Sequence, residues 1–202
     1  MEIAVLGTGP VGRTLGARWS KAGHHVVFGT RDPASLKTRE ALLAAGPTAQ
    51  AAFAREALAW GEVVLIAVPA TAVAQLVADH GGQFGSKVVI DATNRFGEPI
   101  GNHLATIAAA APEARLVRAF NTLSWEVFEQ PVVGGIAADL FYCSVEDART
   151  VAEQVIGDIG LRPVRVGGLD QAPLVDAVGS LWAQLARHQG WGRRLAFKTL
   201  TG

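Results

Sequence analysis

Short continuous runs of apolar, often β-branched residues alternate along the chain with alanine-rich stretches of helical spacing. Runs of this kind mark strands buried on both faces, and their alternation with helical segments marks a parallel sheet covered by helices. Strands are predicted at Ile3–Leu6, His25–Phe28, Glu62–Val68, Lys87–Asp91, Arg115–Phe120, Leu140–Ser144 and Leu161–Val166. Helices are predicted at Val11–Ala22, Pro33–Ala45, Ala70–Asp79, His103–Ala111, Val145–Ile159 and Gln171–Gln189. In the last of these, Leu174, Val178, Leu181 and Leu185 form one stripe with Val175, Trp182 and Ala186 beside it, a wide apolar face suited to core or subunit contact. The tail then breaks into Gly190-Trp191-Gly192, where the glycines allow the tryptophan to move, although a packed indole is the plainer expectation.

Gly7, Gly9 and Gly12 form G-x-G-x-x-G directly after the first predicted strand and at the mouth of the first predicted helix. In that context Gly7 permits a tight turn, Gly9 lets backbone approach a pyrophosphate, and Gly12 lets helix and strand pack closely. Unpaired N–H groups at the helix start add positive potential, and Pro10 sits where a missing donor costs little. The fold class is therefore α/β, a Rossmann-type doubly wound, mostly parallel sheet with a small C-terminal helical appendage. Residues 1–120 form its dinucleotide-binding domain, and residues 121–202 form a small substrate or dimerisation region packed on it.

Arg31 lies nineteen residues after Gly12, near the offset at which an acid would grip the 2′-hydroxyl of NAD. A guanidinium there matches phosphate oxygens instead, Thr30 adds a hydroxyl, and Gly29 leaves room, so NADP is the expected dinucleotide. The competing reading makes Asp32 the ribose acid, displaced past the strand end. Asp32-Pro33 before an alanine-rich segment is a helix start, however, and gives Asp32 a capping role. Lys37, one turn further, is either a second phosphate partner or a solvated lysine.

Composition narrows the ligand. The 202 residues are 50% hydrophobic and carry 18 basic against 18 acidic side chains, so there is no footprint of a nucleic-acid or anionic-membrane binder. A small-molecule redox substrate fits better. The apolar run from Leu58 to Ala78 is broken by Glu62, Pro69 and Gln75, and no secretory leader precedes Ile3, so a cytoplasmic protein without a membrane span is expected. The single cysteine, Cys143, lies in an apolar run and reads as structural.

At the strand ends, Ala67, Val68 and Pro69 offer a backbone wall for the cofactor's ribose. Thr93 and Asn94 after Asp91, and Asn121 with Thr122 after Phe120, offer neutral groups to orient a carboxamide or flavin-like edge, or else cap turns. No G-x-S-x-G, no H-E-x-x-H and no clustered histidine ligands occur. His103 and His188 are acid–base candidates read as surface helix residues, and no catalytic residue or metal ligand is assigned.

With "GTGPVG" and "GTRDP" in place, the chain resembles the NADP oxidoreductases dependent on coenzyme F420, an 8-hydroxy-5-deazaflavin. The resemblance runs on through "LIAVP", "DATN", "AFNTL" and "LWAQLARHQGWGRRLAFK". It implies that Thr8, Pro10, Val11, Thr30, Arg31, Val68, Pro69 and Ala70 line an NADP site on which the deazaflavin stacks. The expected activity is hydride transfer between nicotinamide and coenzyme F420 or a flavin-like acceptor, in a homodimer. Alternatives are an NADPH-dependent imine, carbonyl or ferric reductase, and a non-catalytic NADP-sensing regulator.

Overall fold

The computed structural model describes residues 1–98 and 101–202. The chain opens with β1 (Glu2–Leu6), α1 (Pro10–Lys21), β2 (His25–Thr30), α2 (Leu36–Ala45), β3 (Gln50–Phe53) and α3 (Ala54–Trp60). It continues with β4 (Val63–Ile66), α4 (Ala70–His80), β5 (Val88–Asp91), α5 (Leu104–Ala110), β6 (Arg115–Arg118) and α6 (Trp125–Glu129). A short hairpin of β7 (Val132–Val133) and β8 (Ile136–Ala137) precedes β9 (Asp139–Ser144), α7 (Arg149–Gly157), β10 (Arg162–Gly167) and α8 (Ala172–Ala183).

The main sheet has the order β10-β9-β6-β5-β4-β1-β2-β3. All its pairs are parallel except β6 with β9, which makes the sheet doubly wound and mostly parallel. Strands β1, β4 and β5 are buried almost throughout, as continuous apolar runs require. Leu15, Trp19, Phe28, Phe120 and Phe128 fill one face, where Phe120 meets Trp19 and Phe128 edge-on at 5.6 and 5.7 Å. Leu6, Leu58, Val77 and Phe84 fill the other. The Trp19 indole donates to the Val155 carbonyl at 2.8 Å and ties α1 to α7.

Five elements lie outside the sequence expectation: β3 and α3, because "QAAFAREALAW" is too rich in alanine to favour either period, and α6, β7 and β8, which at five, two and two residues are too short to show one. The α8 stripe divides: Val175, Trp182 and Ala186 are core, whereas Leu174 and Leu181 stay half exposed. Trp191 is exposed and not packed. The last predicted helix also ends its α-form at Ala183 and closes in a wider π turn, Gln184–His188. Among the described residues no helix is long and apolar enough to cross a membrane.

The tail is pinned by a buried carboxylate at the start of β9. Asp139 accepts from Arg162 Nε at 2.7 Å, Lys198 Nζ at 3.0 Å, and the amide and hydroxyl of Thr199 at 2.6 and 2.7 Å. Burial raises its pKa, but the bonds from Arg162, Thr199 and Lys198 outweigh burial and hold it well below the ordinary carboxylate range. A depressed folded-state pKa stabilises fully above the ordinary value and loses that contribution as pH falls through the folded one. Asp139→Asn should therefore free residues 197–199, visible as faster amide exchange at Thr199 while the amides of β1 and β4 stay protected.

Candidate functional site

Because β1, β2, β4, β5 and β6 are parallel, their carboxyl ends share one edge, with the order reversing between β1 and β4. Ligands of open α/β sheets bind at such a switch point. Cross-strand bonds fix the segments there: Gly7 N–H to Gly29 O at 3.2 Å, Ala67 N–H to Leu6 O at 2.9 Å, and Ala92 N–H to Ile66 O at 3.2 Å.

The three glycines of the first turn meet different surroundings. Gly7 has φ +113°, and a Cβ on it would lie 2.6 Å from the Ala67 carbonyl oxygen. A Cβ on Gly12 would lie 2.1 Å from the Gly7 carbonyl oxygen. Gly9, the N-cap of α1 with extended backbone, faces nothing within 4 Å. Two glycines are thus required by protein packing, while the third borders open space in front of a helix whose first turn includes Pro10 and Val11. Thr8, half-buried, completes the turn.

Thr30 closes β2, and Arg31 beyond it is exposed with no hydrogen bond or ion pair among the described residues. Lys37 is likewise exposed without a partner among them. Two sequence expectations change here. Helix α2 starts at Leu36 and not at Pro33, because Ser35 is the cap, accepting from Thr38 N–H at 3.3 Å. Asp32 instead accepts from Ala34 N–H at 2.9 Å, a local turn that still occupies its carboxylate. Gly29 makes room for protein and not for a ligand, since a Cβ there would lie 2.6 Å from the Leu6 side chain.

After β4, Ala67 and Val68 are half-buried, exposed Pro69 is the N-cap of α4, and Ala70 begins that helix. They lie directly across from Gly7, so the first turn and this segment form facing walls at the switch point.

The ends of β5 and β6 are built on a buried charge cluster that sequence reading missed. Arg118, fully buried on β6, donates to Asp176 Oδ1 on α8 at 2.8 Å, to the carbonyls of Asp91 and Thr93 at 3.0 and 2.6 Å, and to Asn94 Oδ1 at 3.3 Å. Asp91 accepts from the Thr93 amide and hydroxyl at 2.9 and 2.6 Å and from the His103 amide at 2.8 Å. Thr93 is buried with its hydroxyl engaged, and both ends of the Asn94 amide are used, its Nδ2 donating to Asn121 O at 3.1 Å. His103 is buried as well, contrary to the surface position expected of it, whereas His188 is exposed. Burial lowers the His103 pKa most; Asp91 opposes this, and Arg95 and Arg118 add to it.

Two polar atoms remain unspent. Phe120 adopts φ +61°, a left-handed conformation rare for a bulky residue, just before Asn121 and Thr122. Asn121 Oδ1 and Thr122 Oγ1 are buried without a partner among the described residues. Asn121 Nδ2 donates to Asp176 Oδ1 at 3.4 Å, and Asp176 in turn lines a cavity of about 260 Å³ between the β5 end and α8, together with Asn94, Phe96, Asn102 and Ser180. The Arg187 guanidinium lies 5.2 Å from the Phe96 ring and 5.9 Å from the Trp182 ring. Cys143 on β9 lies directly across from Arg118 on β6, its buried thiol pushed up to about 12, mainly by desolvation, with Arg118 opposing and Asp176 adding to the shift. Among the described residues no group of acids, cysteines and histidines could hold a metal.

Comparison with known proteins identifies the family. The family described as NADP oxidoreductase, coenzyme F420-dependent, matches residues 2–95. An F420-dependent NADP reductase of Methanothermobacter thermautotrophicus is 31% identical across 92% of this chain and 89% of its own. The rat metalloreductase STEAP3 is 28% identical across 88% of this chain but only 36% of its own. The crystal structure of a proposed F420-dependent NADP-reductase from Arthrobacter superposes with a TM-score of 0.83 at 25% identity, covering all of both chains. A Rossmann-type sheet, the glycine turn at its switch point and a relative of this likeness along nearly the whole chain establish that the protein belongs to the coenzyme F420-dependent NADP oxidoreductase family.

Proposed function

We propose that the protein passes hydride between NADP(H), held at the first turn, and a deazaflavin or flavin-like ring seated near the cavity beside α8. The carrying observation is the contrast among the glycines: Gly7 and Gly12 are packed against protein, but Gly9 borders open space at a helix start. That arrangement fits a pyrophosphate, which takes the free N–H groups of Gly9, Pro10's successor Val11 and Gly12. Thr30 and Arg31 meet the 2′-phosphate, and the wall from Ala67 to Ala70, with Thr8 opposite, guides the ribose. Asn121 offers its unspent oxygen to the carboxamide, while Thr93 and Asn94 hold the β5 loop in place. When bound, NADPH supplies hydride; the chain supplies distance, facing and exclusion of water. The exposed Leu174 and Leu181 on α8 are the face on which a homodimer forms in this reading, and residues 121–202 are its substrate and dimer region.

Arg31→Ala should weaken NADP by roughly ten- to a hundredfold, one charge-assisted contact of about 1.5–3 kcal/mol, and leave NAD affinity nearly unchanged. Calorimetry with both nucleotides measures this, and equal losses would remove Arg31 from the phosphate site. For the reaction, NADPH is offered in parallel to coenzyme F420, flavin mononucleotide and ferric citrate, with oxidation followed by absorbance. Turnover of a ring acceptor supports the proposal. Ferric citrate as the sole acceptor supports a second reading, favoured by the likeness to a metalloreductase. Tight binding without turnover supports a regulator.

A further inference from the structure

We propose that His103 is the proton-exchanging residue of this site, acting through Nε2 while Asp91 and Thr93 hold its Nδ1 proton. The proposal rests on the hydride-transfer reading and adds the proton that hydride transfer leaves undelivered. The Thr93 hydroxyl donates to Asp91 Oδ1 at 2.6 Å, which spends its only hydrogen. The 3.0 Å contact between Thr93 Oγ1 and His103 Nδ1 must then run from Nδ1–H to the hydroxyl oxygen. Nδ1 therefore carries a proton in both charge states, and titration falls on Nε2, which makes no hydrogen bond among the described residues.

His103 is the N-cap of α5, its amide held by Asp91 Oδ2 at the carboxyl end of β5, and the adjacent Asn102 lines the cavity. The charged groups around it are Asp91 from β5, Arg95 from the following loop and Arg118 from β6, the last paired with Asp176 of α8. Burial, then the two arginines, keep the imidazole neutral to lower pH than usual against the pull of Asp91. Reduction of a ring acceptor by hydride requires one proton at a ring heteroatom. It passes from Nε2–H to that atom, and water reprotonates the imidazole; oxidation runs the same transfer in reverse.

The free protein carrying ¹⁵N-histidine tests the tautomer without any substrate. Nδ1 should be protonated and Nε2 bare at neutral pH, with titration below the ordinary 6.5. An Nε2–H tautomer would overturn the proposal. With NADPH and coenzyme F420, or flavin mononucleotide, His103→Gln should lower turnover by about 100-fold or more while NADP affinity by calorimetry is unchanged. NADPH oxidation by the parent should fall as pH rises through the His103 pKa, and the variant should lose that limb. A His103→Gln enzyme with parental rate and profile would remove His103 alone, whereas failure of NADPH to reduce either ring would remove the hydride-transfer reading and this proposal with it.

Discussion

Gly9→Val should fold like the parent and bind NADP at least about 100-fold more weakly. The backbone at Gly9 is extended, and a Cβ there meets no protein atom within 4 Å, so folding has no reason to resist the side chain. A valine would instead occupy the space in front of the α1 amides. Two lost charge-assisted bonds of about 1.5–3 kcal/mol each already exceed a hundredfold. Gly12→Ala should do the opposite. Its methyl would sit 2.1 Å from the Gly7 carbonyl oxygen, and relief requires α1 to move off β1, at a cost of about 1–3 kcal/mol or more. Thermal melts paired with calorimetry separate the two outcomes. Normal NADP affinity in a folded Gly9→Val protein would move the phosphate site elsewhere.

Arg118→Leu should cost about 3–5 kcal/mol in urea denaturation. The guanidinium sits fully buried between Asp91 and Asp176, and its removal leaves two carboxylates facing each other with a lost counter-charge. It also strips donors from the carbonyls of Asp91 and Thr93. Arg149→Leu is the matched control: its pairs with Glu146 and Glu153 are exposed, so its loss should leave the urea midpoint nearly unchanged. Equal effects would mean that the buried cluster contributes no more than a surface ion pair.

What could be read from the residues depended on how local the cause was. The β1-α1-β2 unit was legible because an apolar run, a glycine triplet and a second apolar run follow within thirty residues, and each constrains the next. The α2 start was displaced from Asp32-Pro33 to Ser35 because two candidate caps compete within four positions and only the turn at Ala34 decides between them. Gln50–Phe53 and Ala54–Trp60 went unseen because alanine satisfies both periods. Arg118 and Asp176 were hidden for a different reason. A charge in "RLVRAF" or "PLVDAV" carries meaning only with its partner, and these partners are 58 residues apart in the chain. The His103 relay was out of reach likewise, since it depends on a hydroxyl ten positions away. A signal was nonetheless present: one arginine inside a buried strand and one aspartate inside an apolar helix demand compensation.

The most direct measurement of the central claim is the fate of deuterium from 4-deuterated NADPH in single turnovers with coenzyme F420. Direct transfer between a nicotinamide held at the Gly9 turn and a ring seated beside α8 should place the label on the reduced deazaflavin carbon, and Gly9→Val should abolish that transfer at NADPH concentrations that saturate the parent. Label lost to water, or retention of the full rate by Gly9→Val, would contradict it.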